Sequence, residues 1–176
     1  MSGPVAWSSL TLASLSDLTY EIGEGSILFS AYDPGRIQNA YGAVKQQVWI
    51  DLKADLTDLY ASRNGKYQRF DVIIREMGYS YNELDTMLDK IGNPADTLVE
   101  PVKAKWAWQL WIWLSSDNRP NYKALMPYCM EQASIKDSAY KARMKEAKKN
   151  MWLDLNSDGQ TVDYERVRTH NSFVRT

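Results

Sequence analysis

Residues 154–165 carry the clearest chemical spacing in the chain: Asp154, Asn156 and Asp158 at alternate positions, then Gly159, then Glu165. The pattern fits the EF-hand calcium-loop formula at every specified position. Alternate oxygens can converge on one ion, glycine allows the sharp turn, and a glutamate can close the sphere with both oxygens. Three features weigh against a working site. The β-branched residue expected at loop position 8 comes one place late, as Val162, with Thr161 in its slot. Residues after Glu165, among them Arg166, Arg168 and Asn171, form no amphipathic exiting helix, and no second loop is present to pair with this one. The favoured reading is a turn in which Asp and Asn bond nearby backbone N–H groups and Gly159 takes a positive φ. Calcium is the alternative, and no cofactor is expected.

Other residues of catalytic type are scattered. The only histidine is His170, near the end of the chain, and the only cysteine, Cys129, follows Pro127 and Tyr128 on an expected helix. A Cys/His nucleophile pair has no support there. Glycine-rich phosphate loops and the HExxH signature are absent, and the carboxylates fall on polar helix faces. No enzymatic role is expected. Tryptophans 106, 108, 111 and 113 could stack on bases or sugars. Their helical spacing, with Leu110, Ile112 and Leu114 between them, points to a core instead. One core of this size does not easily take all four, so Trp108 and Trp111 are assigned to a contact with a neighbouring subunit, where tryptophan is enriched. Lys136, Lys141, Arg143, Lys145, Lys148 and Lys149 give the last expected helix a basic face, partly neutralised by Asp137 and Glu146. That face is either solvated or, at Lys141, Lys145, Lys148 and Lys149, turned toward DNA phosphates.

The elements that would hold these residues are mostly helices. Residues 11–22 carry leucines at 12, 15 and 18, a spacing compatible with a short helix. Asp33, Pro34 and Gly35 read as a turn. Ile37, Tyr41, Val44, Val48, Leu52, Leu56 and Leu59 keep one apolar stripe, and Asn64 with Gly65 is expected to end that helix. Residues 70–77 read as either a short strand or a short helix, broken by Gly78. Ser80 and Glu83 form a plausible capping box for a helix through Leu84, Met87, Leu88 and Ile91, closed by Gly92, Asn93 and Pro94. A further helix from Asp96 to about Leu114 places Pro101 in its first turn and is apolar nearly all round, so it should be buried on more than one face. Its stripe of Val102, Trp106 and Leu110 is expected to face Val48, Leu52 and Leu56. A loop over 116–120, a short helix over 122–131 and a last helix over 134–152 complete the series.

The expected fold is therefore mostly α: one domain of four to five helices with a bundle-like core at 37–153. An irregular region (1–36) precedes it, and an Asx/Gly turn with an extended tail (154–176) follows. Size agrees, since 176 residues is about one domain. With 44% hydrophobic residues the chain can bury one sizeable core. Twenty-one Lys and Arg against 22 Asp and Glu give little bulk attraction to nucleic acid, though a local patch remains open. A lone cysteine fits a reducing cytosol. The first residues lack a signal-peptide pattern, and the longest apolar stretch, near residues 106–114, is too short to span a membrane.

The order of charged helix (138–150), Asx/Gly turn (151–160) and arginine-bearing tail resembles the C-terminal end of tailed-phage head–tail connector proteins, also called adaptor or head-completion proteins. The resemblance covers roughly residues 37–176. It includes the amphipathic helix with Trp49, Ile50, Asp51 and Leu52, the apolar helix through Trp106, and residues 140–160. The tryptophan density and residues 1–35 depart from it. It implies an α-helical subunit of a ring, expected to be a dodecamer, below the portal protein in the virion neck. That ring would be assembled in the host cytoplasm, would extend the DNA channel and would present a docking surface to a tail or neck protein, with no membrane partner. The tail offers Val162, Tyr164, Arg166, Arg168, Phe173 and Arg175 as interface residues. With so little apolar area it is expected to be mobile in the isolated subunit and to order on a neighbour or the portal, its arginines pairing with acidic groups of that partner.

Overall fold

The structure, a computed structural model, describes residues 20–23, 36–63, 66–79, 88, 90–116 and 120–154. It is mostly helical, as the apolar periodicities require. Among the described residues are helices α1 (Arg36–Thr57), α2 (Phe70–Glu76), α3 (Pro94–Ser115), α4 (Pro120–Lys123) and α5 (Met126–Asn150), with residues 20–22 and Leu88 also helical. Strands β1 (Tyr60–Arg63) and β2 (Lys66–Arg69) form a two-stranded antiparallel sheet. The chain falls into two compact units. One comprises Met1–Thr11, Asp51–Leu98 and Met144–Thr176, the other Leu12–Ile50 and Val99–Arg143.

The α1 stripe is real but shorter than the sequence implies. Val44, Val48, Leu52 and Leu56 are buried, and the helix stops at Thr57, whose hydroxyl donates to the Lys53 carbonyl at 2.8 Å. Such a bond competes with the helical ladder and weakens the last turn. The chain then enters the hairpin. Its register, Tyr60 with Arg69 through Arg63 with Lys66, leaves only Asn64 and Gly65 between the strands. The expectation that this pair ends α1 is thus corrected: an Asn-Gly dipeptide between two short runs is a hairpin signal. The pair itself lies outside the described residues.

Residues 70–77 resolve as helix. Gly78 follows α2 at φ +82°, its N–H donating to the Arg75 carbonyl at 2.9 Å, while the Tyr79 N–H reaches back to Ile74 at 3.1 Å. These two bonds are the Schellman arrangement that a left-handed residue permits. Phe70, Ile73 and Ile74 are buried against solvent, and the Phe70 N–H donates to the Leu59 carbonyl at 2.7 Å, closing the base of the hairpin.

Two helix limits are also corrected. Pro94 is the first residue of α3, so Pro101 sits inside the helix rather than in its first turn. The missing N–H of Pro101 is one that the Thr97 carbonyl would otherwise accept. The two helices expected over 122–131 and 134–152 are a single helix of 25 residues, α5. Gln132 and Ala133 contain nothing that stops a helix, and Pro127 falls in the first turn, where proline is tolerated. This helix ends at Asn150, whose carbonyl accepts from the Asn93 side-chain amide at 3.4 Å. After it the chain turns extended. Leu153 forms an antiparallel bridge with Ile91, Gly92 donates to the Trp152 carbonyl at 3.1 Å, and Asp154 donates to the Lys90 carbonyl at 2.9 Å.

The helix at 11–22 is described only at 20–22. The turn at Asp33, the capping box at Ser80 and Glu83, and the residues after 154 all lie outside the described residues.

Candidate functional site

The 154–165 loop is described only at its first residue. Asp154 is half-buried, and its backbone N–H is committed to Lys90. Asn156, Asp158 and Glu165 lie outside the described residues, as do Val162, Tyr164, Arg166, Arg168, Phe173 and Arg175. Among the described residues there is no group of three or more His, Cys, Asp or Glu able to hold a metal ion. Nor is any helix long and apolar enough to cross a membrane.

The tryptophans of α3 divide by depth. Trp106 and Trp111 are buried, at 3% and 1% exposure. The assignment of Trp111 to a partner surface is therefore corrected. Its ring meets Tyr128 of α5 edge-on, with centroids 5.8 Å apart at 89°, a favourable quadrupole geometry inside its own unit. Trp108 is half-buried and lies 6.4 Å from the Tyr140 ring. Between those rings sits Lys105, which is 5% exposed. Its Nζ is 3.7 Å from the Trp108 ring centroid and 4.5 Å from that of Tyr140. The electron-rich ring faces stabilise the ammonium where burial alone would disfavour it. One turn of α3 brings Lys105 under Trp108, because residues three apart share a face. Nothing in the sequence reading singled out this lysine.

The basic face of α5 is extensively paired. Lys141 donates to Asp137 at 2.6 Å, and Lys149 donates to Glu146 at 2.7 Å, holding the Glu146 carboxyl below the usual carboxylate range. Lys148, 17% exposed along its side chain, is directed at Asp55 of α1 at 3.8 Å and so leaves the outward-facing set. Lys145 is exposed. Lys136 and Arg143 converge on one carboxylate that the sequence reading passed over, Glu21, at 2.8 and 3.1 Å. Glu21 has 9% of its side chain exposed. Burial pushes its carboxyl up, but the hydrogen bonds and charges of Lys136 and Arg143 outweigh that and hold it lower than usual. Arg143 also donates to the Glu100 carbonyl at 3.2 Å. Ile22 beside it is buried, so residues 21 and 22 are fastened by an ionic and an apolar contact.

A second carboxylate is shared in the other unit. Asp71, 7% exposed, accepts from Arg69 Nε at 3.0 Å and from its terminal nitrogen at 3.2 Å, with Arg75 at 3.7 Å on the far oxygen. Its place in the first turn of α2 suits a negative charge. Cys129 is buried, and burial pushes its thiol up, which keeps it protonated and unreactive.

These groups fasten elements together and do not converge on a cleft. Exposed apolar side chains, in contrast, collect in one unit: Ile112 of α3, with Met126, Met130 and Ile135 of α5. Compared with known proteins, the chain matches no family model, no curated protein and no solved structure.

Proposed function

We propose that this chain is a structural subunit of a tailed-phage head–tail connector: a ring-forming, non-enzymatic adaptor, expected as a dodecamer, seated below the portal in the virion neck. The observation that carries the reading is apolar surface on a helical scaffold. Met126, Met130 and Ile135 remain 46–52% exposed along the first turns of α5. Side chains of that kind, left in water, favour burial against another protein surface. A ring supplies such a surface from the same chain, since head-to-tail contacts close when the rotation closes. The mostly helical architecture and the order of charged helix, Asx/Gly turn and arginine-bearing tail support the same reading. Portal, tail or neck protein and channel DNA are its partners. The test is electron microscopy of the chain alone and mixed with its portal. Rings in either sample support the connector, whereas failure to form a ring under both conditions removes it. Calcium titration followed by light scattering separates the rival reading, which requires a calcium-shifted monomer.

A further inference from the structure

The hairpin that interrupts the helical pattern is chemically two-faced. Successive residues of a strand point to opposite sides, and the register places Tyr60 opposite Arg69 and Ser62 opposite Tyr67 on one face. Ala61, on the other face with Gln68, is fully buried. The face holding Tyr60, Ser62, Tyr67 and Arg69 is therefore the one turned away from the core of this unit. Each of those four side chains can donate a hydrogen bond, and none is negatively charged. Tyr67 is 41% exposed and Arg69 has 44% of its side chain exposed, with exposed Lys66 next to the turn.

The charge balance has the same direction. Residues 60–76 hold Arg63, Lys66, Arg69 and Arg75 against Asp71 and Glu76, a net +2, in a chain whose total is −1. Asp71 is divided between two guanidiniums, Arg69 and Arg75. On α5, by contrast, Lys136, Lys141, Arg143, Lys148 and Lys149 each meet a carboxylate, two of those carboxylates coming from outside the helix.

We propose that the outward face of the β1–β2 hairpin binds the phosphate backbone of duplex DNA. The identity of the nucleic acid rests on the connector reading, in which duplex DNA passes the ring. Arginine, lysine, serine and tyrosine are the side chains that donate to phosphate oxygens in sequence-independent contacts. Strands of four residues span roughly 13 Å, close to the ~12 Å width of a major groove, which admits a two-stranded ribbon. A contact made to phosphates alone holds any sequence equally, as a moving duplex demands.

Fluorescence anisotropy of a short labelled duplex, titrated with the full chain over a range of salt concentrations, tests this. Lys66→Glu and Tyr67→Ala change exposed positions and spare the Arg69–Asp71 pair. Lys145→Glu serves as the control on α5, and circular dichroism melts establish that each variant is folded. The wild-type chain should bind, and its affinity should fall as salt rises. Lys66→Glu should weaken binding about tenfold or more and flatten the salt dependence by about one counterion, Tyr67→Ala should weaken it less, and Lys145→Glu should leave it unchanged. No binding by the wild-type chain at low salt overturns the inference, as does equal binding by folded Lys66→Glu, or weakening by Lys145→Glu alone. If Lys66→Glu and Tyr67→Ala keep DNA binding but lose the portal, the hairpin is a protein-docking surface and the inference is wrong. Ring formation is read separately by microscopy: rings built from Lys66→Glu that cannot hold DNA leave the connector standing, and DNA binding without rings removes the connector alone.

Discussion

Gly92 is the tightest position in the described structure. A methyl group added there would fall on the Trp152 indole ring. Gly92→Ala must therefore push Trp152 aside, at a cost of about 1–3 kcal/mol for overpacking, and should lower the midpoint of a thermal melt by several degrees. Gly92→Ala combined with Trp152→Ala should cost less than the sum of the two single changes, since the clash disappears with the ring. Equal and additive effects would show that the indole does not rest on this glycine. Glu21 makes the second residue-scale prediction. Its folded pKa is depressed by Lys136 and Arg143, so its contribution to stability is fully present above the unfolded value, near pH 4.3. That contribution is lost as pH falls through the lower folded value. Glu21→Gln should cost roughly 1–3 kcal/mol at neutral pH and should converge on the wild type in acid. Melts at several pH values check the sign, and a constant gap between the two proteins would refute it. Neither residue was readable in the sequence. Gly92 looked like a helix stop because its neighbours are Asn93 and Pro94, and Glu21 has its cationic partners 115 and 122 positions away.

Among elements, α1, α3 and α5 were readable because repeating apolar positions at helical spacing report burial directly. Val48, Leu52, Leu56, Val102, Trp106 and Leu110 are all buried, as those stripes require. Leu110→Ala should then cost about 2–5 kcal/mol, and an unchanged melt would show that the site collapses around the cavity or was never filled. What failed were the ends. Asn64 and Gly65 serve helix stops and hairpin turns equally well, and only pairing between strands separates the two. Pro101 looked like a first-turn proline because Pro94 had been assigned to the preceding helix. The division of α5 arose from a polar stretch, Glu131, Gln132 and Ser134, that merely faces water. Lys105 links α3 to α5 through Trp108 and Tyr140. Lys105→Ala should lower stability by about 1–2 kcal/mol through the lost cation–π contacts. Tyr140→Phe, which keeps the ring, should lower it less, and the reverse ranking would assign the loss to the Tyr140 hydroxyl.

At the scale of the molecule, the candidate site was less readable than the fold. Trp111 was placed on a partner surface because the sequence shows an apolar helix all round but not which side its own chain covers. The apolar residues left exposed, Met126 and Met130, belong to the stretch of α5 that had looked like a separate short helix. In the connector reading, deleting residues 163–176 should leave the helical content intact by circular dichroism while preventing assembly on the portal. If the truncated chain builds rings and infectious particles, the tail is a solvated end. Met130→Glu should likewise block ring formation without lowering the melting midpoint by more than a degree or two, because the side chain is already half in water. A ring that forms normally with this substitution would place the subunit contact elsewhere.

The backbone bonds joining 90–92 to 152–154 also set a radius of action. Asp154 is pinned by its bond to Lys90, so Leu155 to Thr176 leave from a fixed anchorage. Those 22 residues, even fully extended, reach at most about 75 Å from it. Within that sphere a neighbour meets the tail as a tethered ligand, at an effective concentration set by geometry rather than by how much protein is present. A weak tail–surface affinity then suffices inside a closed ring and fails between free subunits. Cutting the tether at its anchorage, by Asp154→Pro, removes the N–H that bonds Lys90. That change would loosen this geometric advantage without altering one interface residue.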